Sequence, residues 1–459
     1  MMGTSTSSVT PKHWVETTLK EVVISKKGKK PKTLKEKFFP NSSPYIDIEA
    51  FETGVIKQYA DNDSSNICLP SDVLVVWDGA RFGLTGFGQS GAIGSTLACL
   101  TPIIIEPMYL YKFIQRHYST IQQKPKGMAT PHVDPDLFWN LEFPLPPLNE
   151  QKRIVEKLDA ILPRVKSAKA RLEKIPAILK KFRQSVLAAA CSGRLTEDWR
   201  EVNSISNNYS GAASGEGPYE LPDDWIWVEL CNLSNGFQYG TSSKSETEGK
   251  IPVIRMGNLQ NGRIDWFDLK YTNDDSEIEK YALCYGDVLF NRTNSPDLVG
   301  KTAIFKENRA AIFAGYLIRI KYKKEYLNSD YLNYCLNSER AKEWCKQVKT
   351  DGVSQSNINA QVLSTFLVPL PPLEEQHEIV RRVEKLFALA DSLEAKYKKA
   401  FERVEKLEQA ILAKAFRGEL VEPDPNDLPA AELLKQILAE KEKMVARLKK
   451  RKTKNAKQR

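Results

Sequence analysis

Residues 144–158, PLPPLNEQKRIVEKL, return along the chain as PLPPLEEQHEIVRRV at residues 369–383. Working outward from these two stretches, residues 144–195 align without a gap with residues 369–420, and 19 of the 52 aligned pairs are identical. The two copies also end alike, as QSVLAAACSGRL and QAILAKAFRGEL. A repeat of this length indicates the same structural unit used twice, so it sets the order of domains along the chain.

Each copy of the repeat predicts one long helical segment. Glu150 and Gln151, or Glu375 and Gln376, follow a proline-rich start and suit the first turn of a helix, and a glycine suited to a C-cap ends each copy. Apolar or small residues recur every seven positions, which is typical of a coiled-coil seam. The seam positions are Leu158, Val165, Leu172, Leu179 and Val186 with Ile161, Ala168, Ile175, Phe182 and Ala189 in the first copy, and Val383, Ala390, Tyr397, Val404 and Ile411 with Leu386, Leu393, Ala400 and Leu407 in the second.

Two prolines distinguish the copies. Pro163 and Pro176 each remove a helical hydrogen bond, so the first helix is predicted to be kinked or split there. Ala388 and Phe401 stand at the matching positions of the second copy, which is predicted to run straighter. A continuous helix over residues 151–190 would span on the order of 60 Å.

The segments ahead of the two repeats are weakly alike. Trp14 matches Trp225, and Asp72-Val-Leu matches Asp287-Val-Leu. Runs at residues 73–77, 287–290 and 311–322 are rich in strand-forming residues, and they mix with short helical patterns. The predicted fold class is α+β, with two mixed α/β domains joined by two long antiparallel coiled-coil helices in a pseudo-twofold arrangement. The predicted segments are a first domain at 1–143, a helical region at 144–200, a linker at 201–215, a second domain at 216–367, a helical region at 368–420, and a C-terminal helix and basic tail at 421–459.

Charge and composition restrict the class of protein. The chain has 459 residues, with 67 Lys and Arg against 58 Asp and Glu, but residues 443–459 hold nine of the basic residues and no acid. The remainder is therefore neutral, and only local clusters can bind nucleic acid. No apolar run reaches the length of a membrane span and no signal core begins the chain, so we expect a cytoplasmic protein. The scattered cysteines and histidines predict free thiols and no structural metal.

Several motifs argue against catalysis by this chain. Residues 86–91 match GxGxxG, but no amphipathic helix or suitably spaced acid follows. Residues 295–302 resemble a phosphate loop, but Ser295 replaces the first glycine and Pro296 removes a backbone donor. No [DNS]PP[YFW] tetrapeptide occurs, the element with which amino-methyltransferases hold the target nitrogen.

The paired PLPPLxEQ segments, the heptad helices and the endings CSGRLTEDW and AFRGELVEP resemble the specificity subunit of type I restriction-modification enzymes, most of all the type IA subgroup. The resemblance implies two target-recognition domains that each read one half of a bipartite DNA sequence. It also implies helices that separate the half-sites and bind two modification (methyltransferase) subunits, which restriction (endonuclease and translocase) subunits join. On this basis the chain is a non-catalytic subunit with no cofactor of its own, and the partner subunits bind S-adenosylmethionine, ATP and Mg.

Local clusters supply candidates for DNA contact. Arginine can fork onto guanine and asparagine onto adenine, whereas lysine neutralises phosphates. The resemblance adds Ser354 and Gln355, from the stretch DGVSQSNI, although the first domain departs from the family pattern at Ser71 and at residues 127–132. The predicted DNA-binding residues are Lys26, Lys27, Lys29, Lys30, Lys32, Arg81, Arg255, Asn258, Arg292, Lys301, Ser354 and Gln355.

Alternatives to these interpretations stay open. The lysine cluster at residues 26–37 also fits a solvated mobile loop, and the tail at residues 449–459 fits either a solvated end or an accessory nucleic-acid contact. For the whole chain, the alternatives are a self-sufficient nucleic-acid-modifying enzyme, which would transfer methyl groups without partners, and a coiled-coil protein adaptor, whose assembled complex would not retain DNA.

Overall fold

The computed structural model describes residues 10–127, 131–203, 205–353 and 355–457. The chain divides into two compact units, Met1–Leu172 with Lys399–Arg459, and Glu173–Lys398. Each unit contains one mixed α/β domain and the helical segments that pack with it. None of the helices in these described ranges has the length and apolarity that would let it cross a membrane.

In the described part of the first unit the sheets have strand orders β1-β11, β2-β10-β7-β8 and β3-β5-β4-β9-β6. Its elements up to the first long helix are β1 (Val15–Thr18), α1 (Leu19–Val22), β2 (Val23–Lys27), β3 (Leu34–Lys35), β4 (Ser42–Ile46), α2 (Ile48–Thr53), β5 (Tyr59–Asp61), β6 (Ile67–Cys68), β7 (Val73–Val76), β8 (Thr85–Phe87), β9 (Gly91–Ile93), β10 (Leu97–Pro102), α3 (Pro107–Arg116), α4 (Tyr118–Gln122), α5 (Pro135–Trp139), β11 (Glu142–Leu145) and α6 (Leu148–Leu172).

The described residues of the second unit form sheets with strand orders β12-β25, β13-β22-β18-β20-β16-β15, β17-β14-β21 and β19-β24-β23. The elements of the remaining chain are α7 (Ile175–Cys191), α8 (Glu197–Val202), β12 (Ile226–Glu229), β13 (Ser234–Tyr239), β14 (Ile251–Ile254), β15 (Leu259–Gln260), β16 (Gly262–Ile264), β17 (Lys270–Thr272), α9 (Asp275–Tyr281), β18 (Val288–Asn291), β19 (Thr293–Asn294), β20 (Thr302–Ile304), β21 (Ile312–Phe313), β22 (Leu317–Tyr322), α10 (Ser329–Asn337), α11 (Glu339–Val348), β23 (Thr350–Asp351), β24 (Ser356–Asn357), α12 (Ala360–Ser364), β25 (Leu367–Leu370), α13 (Leu373–Ala415) and α14 (Ala430–Lys457).

The strand-rich runs of the sequence form central strands. All four residues of β7 are buried, with Val73 and Val75 in one apolar cluster and Leu74 and Val76 in another. A strand covered on both faces needs this continuous apolar run and shows no alternation. The predicted strands at 73–77 and 287–290 are thus confirmed as β7 and β18, and the run at 311–322 forms β21 and β22 with a turn between them.

The two domains share local architecture as well as sequence. The strand after Pro44 pairs in parallel with a later strand, Tyr45 opposite Ala92, and Val253 pairs in the same way with Ile312. The first strand of each domain pairs with the strand that leads into its long helix, β1 with β11 and β12 with β25. This confirms the predicted pair of similar α/β domains.

A buried glutamate and glutamine fasten the first domain to the start of α6. The Nε1–H of Trp14 donates to Glu150 at 3.0 Å, and Glu150 is 1% exposed. The side chain of Gln151 donates to the carbonyl of Pro146 at 2.9 Å and accepts from the backbone N–H of Glu106 at 2.9 Å. The PLPPLNEQ motif is therefore a joint between domain and helix.

The second copy of the motif forms the same joint in the second unit. Glu375, also 1% exposed, accepts from Trp225 Nε1 at 2.8 Å, from the hydroxyl of Thr196 at 2.6 Å and from Arg200. Gln376 repeats the two bonds to a proline carbonyl and a backbone N–H, at 3.0 and 2.8 Å. Burying these polar groups without such partners would be costly, which explains why both copies carry the Glu-Gln pair.

Ion pairs join the helical segments, with the loop before α14, within each unit. They are Lys169–Glu405 at 3.5 Å and Arg153–Asp427 at 2.7 Å in the first unit, and Arg183–Asp391 at 2.7 Å and Arg382–Asp198 at 2.6 Å in the second. In both sets the residue number rises along one segment as it falls along the other. The packed segments are therefore antiparallel within each unit, as predicted.

The helices differ in continuity as the prolines predict, with one refinement. Helix α6 runs through Pro163, and the break lies at Glu173 and Lys174, just before Pro176 in the first turn of α7. Proline is tolerated in a first turn because its missing N–H has no helical partner there. The second copy forms one helix of 43 residues, α13.

The seam is narrower than the heptad pattern predicts. Val383, Ala390 and Ile411 at the first seam position are buried, but Leu393 and Leu407 at the second position are 45% and 44% exposed. In each unit a single antiparallel helix covers one stripe of α13, so the neighbouring stripe stays open. The predicted coiled-coil helices are therefore present, and in α13 the second seam position is only partly covered.

Candidate nucleic-acid interface

Arg292 lies where strand β18 ends in the second domain. Its guanidinium carbon is 4.9 Å from the centre of the Tyr239 ring, and its Nη1 donates to the carbonyl of Gly315 at 3.4 Å. Among the described residues its Nε has no hydrogen-bond partner. The side chain is half-buried and held against an aromatic face, which fixes the direction of its donors.

A three-stranded sheet brings a distant motif beside Arg292. Strand β24 pairs with β19 on one side and with β23 on the other. The backbone N–H of Ile358 donates to the carbonyl of Arg292 at 2.9 Å, and the Asn357 amide donates to the Thr293 hydroxyl at 3.0 Å. The stretches GDVLFNR at residues 286–292 and DGVSQSNI at residues 351–358 therefore meet in one surface cluster. We call it the Arg292 cluster: Arg292–Asn294, Tyr239, Tyr316, and residues 350–353 and 355–357.

The hairpin between β23 and β24 projects from this cluster. Hydrogen bonds from Lys349 and Ser356 hold the pKa of the Asp351 carboxyl below its usual value. Gly352 N–H donates to the carbonyl of Gln355 at 2.8 Å, and the side chains of Val353 and Gln355 are exposed. Ser354, a predicted contact residue, lies outside the described residues. A braced hairpin with an exposed tip is suited to enter a DNA groove.

Other predicted residues of the second domain have partners within the chain. The Lys301 ammonium donates to the side chain of Gln260 at 3.2 Å, and the residue is half-buried. Arg255 donates from Nη2 to the carbonyl of Asp268 at 2.7 Å, so its fork holds a turn in which Asp268 has a φ of 51°.

Asn258, which the sequence predicted to contact DNA, is instead buried. It is 2% exposed, its amide donates to the carbonyls of Asp265 and Phe267, and its oxygen accepts from the backbone of Arg255. No donor of this amide is left for a base, because a buried polar side chain must satisfy its hydrogen bonds internally. The residue fixes the loop and does not form part of a DNA surface.

The lysine-rich segment of the first domain is an ordered part of its sheets. Lys26 and Lys27 end strand β2, Gly28 N–H donates to Leu97 O at 2.8 Å, and Lys29 N–H to Ile93 O at 3.3 Å. Lys32 N–H donates to the hydroxyl of Ser64 at 2.8 Å. The side chains of Lys29, Lys30 and Lys32 are exposed. Backbone hydrogen bonds thus tie Gly28, Lys29 and Lys32 to neighbouring parts of the first domain, and the exposed lysines fit both a solvated segment and contact with phosphates.

Two predicted residues of the first domain are paired with acids. Lys27 contacts Asp78 at 2.8 Å, and Arg81 forms an ion pair with Glu52.

Trp77 is the residue of the first domain that corresponds in position to Arg292. The backbone N–H of Val133 donates to the carbonyl of Trp77 at 2.9 Å, as the N–H of Ile358 does to the carbonyl of Arg292. The first domain therefore presents no arginine there, and its divergent loop at residues 128–130 lies outside the described residues.

Two aromatic residues near Arg292 were missed by the sequence analysis. Tyr239 supports the guanidinium, and Tyr316, 50% exposed, accepts the backbone N–H of Arg292 at 3.0 Å. Tyr239 lies 53 positions before Arg292 (292 − 239), so no local pattern connects them. The Gly-Tyr pair after β21 offered the only signal, as a turn next to a strand.

The sequence of this chain matches a known protein family. The chain matches the Type I restriction modification DNA specificity domain twice, at residues 11–177 and 227–403. The two matches correspond to the two α/β domains with the helical segments that follow them.

Individual relatives match over most of their length. The chain is 36% identical over 336 residues to the type I restriction enzyme EcoKI specificity subunit of Escherichia coli K12, covering 70% of this chain and 69% of that protein. It is 32% identical to the EcoBI specificity subunit of Escherichia coli, covering 81% and 80%. The crystal structure of the HsdS subunit from Thermoanaerobacter tengcongensis has the same fold, with a TM-score of 0.56, 21% identity and coverage of 89% and 98%.

Proposed function

Because the chain belongs to the family of type I restriction-modification specificity subunits, we propose that it reads a bipartite DNA target for such an enzyme. Each α/β domain reads one half of the target, and the chain contributes no catalytic residue. The enzyme it serves methylates or cleaves DNA through partner subunits.

The Arg292 cluster is the observation that carries this proposal. A half-buried arginine stacked on Tyr239 and a braced hairpin with an exposed tip lie side by side, although they are far apart in the sequence. A fixed arginine fork matches the O6 and N7 acceptors of guanine, which gives base discrimination that a flexible side chain would lack.

The partners and cofactors follow from this role. We propose that two modification subunits bind the helical segments and bring S-adenosylmethionine and the pocket for the target base. Restriction subunits that use ATP and Mg join this core to cleave DNA. The assembled enzyme acts in the cytoplasm, where chromosomal and incoming DNA are both accessible.

An exchange of recognition domains tests the division of labour. Residues 1–143 are replaced by the first domain of another specificity subunit, and the methylated motif is determined by methylome sequencing of cells that also express the modification subunit. We expect one half of the motif to change and the other to persist. The reciprocal exchange of residues 216–367 is the control and should change the opposite half.

Other outcomes would overturn the proposal. A single exchange that alters both halves would show that the domains do not read independently. Methyl transfer by the purified chain without partners would identify an enzyme, and an assembled complex that does not retain duplex DNA would identify a protein adaptor.

A further inference from the structure

The C-terminal helix α14 is an integral part of the first unit. Leu433 and Ile437 are buried in the main core of that unit, and Met444 packs against the same core. Lys441 contacts Glu21 at 3.4 Å and donates to the carbonyl of Lys20. These contacts hold the helix against the first domain up to its basic end.

A cleft lies between the end of α14 and strand β2, which is the edge strand of its sheet. Its volume is about 550 Å³. The cleft has an apolar floor and a basic rim. The cleft is lined by Ile24, Lys26 and Thr101 of the sheet and by Met444, Arg447 and Lys450 of the helix.

Basic residues follow one face of α14 beside this cleft. Lys443, Arg447 and Lys450 are exposed, and their spacing of four and three residues places them on one face of the helix. The sequence continues this spacing with Lys454 and Lys457, and no acid follows Glu442. Successive cations on such a face are about 5 Å apart along the axis.

We propose that this basic face and the rim of the cleft bind the phosphate backbone of duplex DNA outside the half-site read by the first domain. The inference rests on the proposed function and extends the DNA surface to a helix outside both recognition domains. Duplex DNA carries about one negative charge per 1.7 Å of its axis, so Arg447 and Lys450, with no acid after Glu442, complement it. Lys443, at the start of this face, pairs with Glu440 at 3.6 Å. Beyond the end of β2 the chain continues to the exposed Lys29 and Lys30, which extends the basic surface across the same domain.

The test compares two charge-removing variants of the full chain assembled with its modification subunits. The double variant Arg447→Gln/Lys450→Gln changes the basic face. The matched control, Lys324→Gln/Lys435→Gln, removes two exposed lysines, one on the second unit and one on the opposite part of α14. Affinity is measured at several salt concentrations for two target duplexes, one ending at the outer edge of the first half-site and one extended there by about ten base pairs, roughly one helical turn.

We expect the double variant to lower the slope of log affinity against log salt by about 1.8 on the extended duplex, since each phosphate contact contributes about 0.9. The short duplex and the methylated motif should be unaffected, and the control should behave as wild type. An unchanged slope on the extended duplex overturns the inference, and loss of the restriction subunits with unchanged DNA binding would assign the face to a protein partner. If wild type does not distinguish target from random DNA, the proposed function itself fails.

Discussion

Arg292 and Lys301 lie close along the chain, but we expect them to contribute differently to DNA binding. We expect Arg292→Ala to relax one base position of the second half-site, at a cost of about 1 to 3 kcal/mol. Lys301→Gln should weaken binding to all sequences and lower the salt slope by about one. Binding of the assembled complex to a set of single-base target variants separates the two effects.

Controls for this prediction come from the surroundings of Arg292. Arg292→Lys keeps the charge but loses the planar fork, so it should relax the same position as Arg292→Ala. Tyr239→Phe keeps the ring beneath the guanidinium and should retain specificity. An Arg292→Ala variant with unaltered base preference would exclude the residue from DNA reading.

Glu375 is predicted to stabilise the folded chain. Its removal leaves the indole N–H of Trp225, the hydroxyl of Thr196 and the charge of Arg200 without their shared acceptor. We expect Glu375→Ala to lower the free energy of unfolding by about 3 to 5 kcal/mol. Chemical denaturation measures this change, and the exposed neighbour Glu374→Ala is the control, with an expected effect below about 0.5 kcal/mol.

Pro163 lies inside helix α6, where a proline is normally destabilising. The helix continues through it although proline lacks an N–H for the preceding turn and crowds the carbonyl there. We expect Pro163→Ala to stabilise the first unit by about 1 to 3 kcal/mol. Thermal and chemical unfolding check this, with Pro176→Ala as the comparison, because a proline in the first turn of α7 interrupts no helical bond. Equal effects of both variants would contradict it.

At the scale of the whole molecule, the long helices are predicted to set the distance between half-sites. Insertion of one heptad into α6 and one into α13 keeps the seam in register and adds about 10 Å of helix. At about 3.4 Å per base pair, the unspecified gap in the target should lengthen by about three base pairs. Both half-site sequences should stay the same in the methylated motif. An active variant with an unaltered gap would assign the spacing to the recognition domains.

The sequence alone predicted two α/β domains alternating with two helical regions, and the strands at 73–77, 287–290 and 311–322. The duplicated PLPPLxEQ segments located both helical regions, and the prolines at 163 and 176 located the helix that is divided. These features are encoded locally, by periodicity and by backbone chemistry, so they can be read from neighbouring residues. The family followed from the same repeated segments.

Only the tertiary structure decided which candidate residues share a surface. The segment at Arg292 meets strands β23 and β24 through strand pairing, whereas Asn258, an equally good candidate by residue type, is buried by its own loop. The docking of α14 on the first domain was likewise absent from any local pattern. Exposure and hydrogen-bond partners depend on packing between residues far apart in the chain, and that packing is what a single sequence does not state.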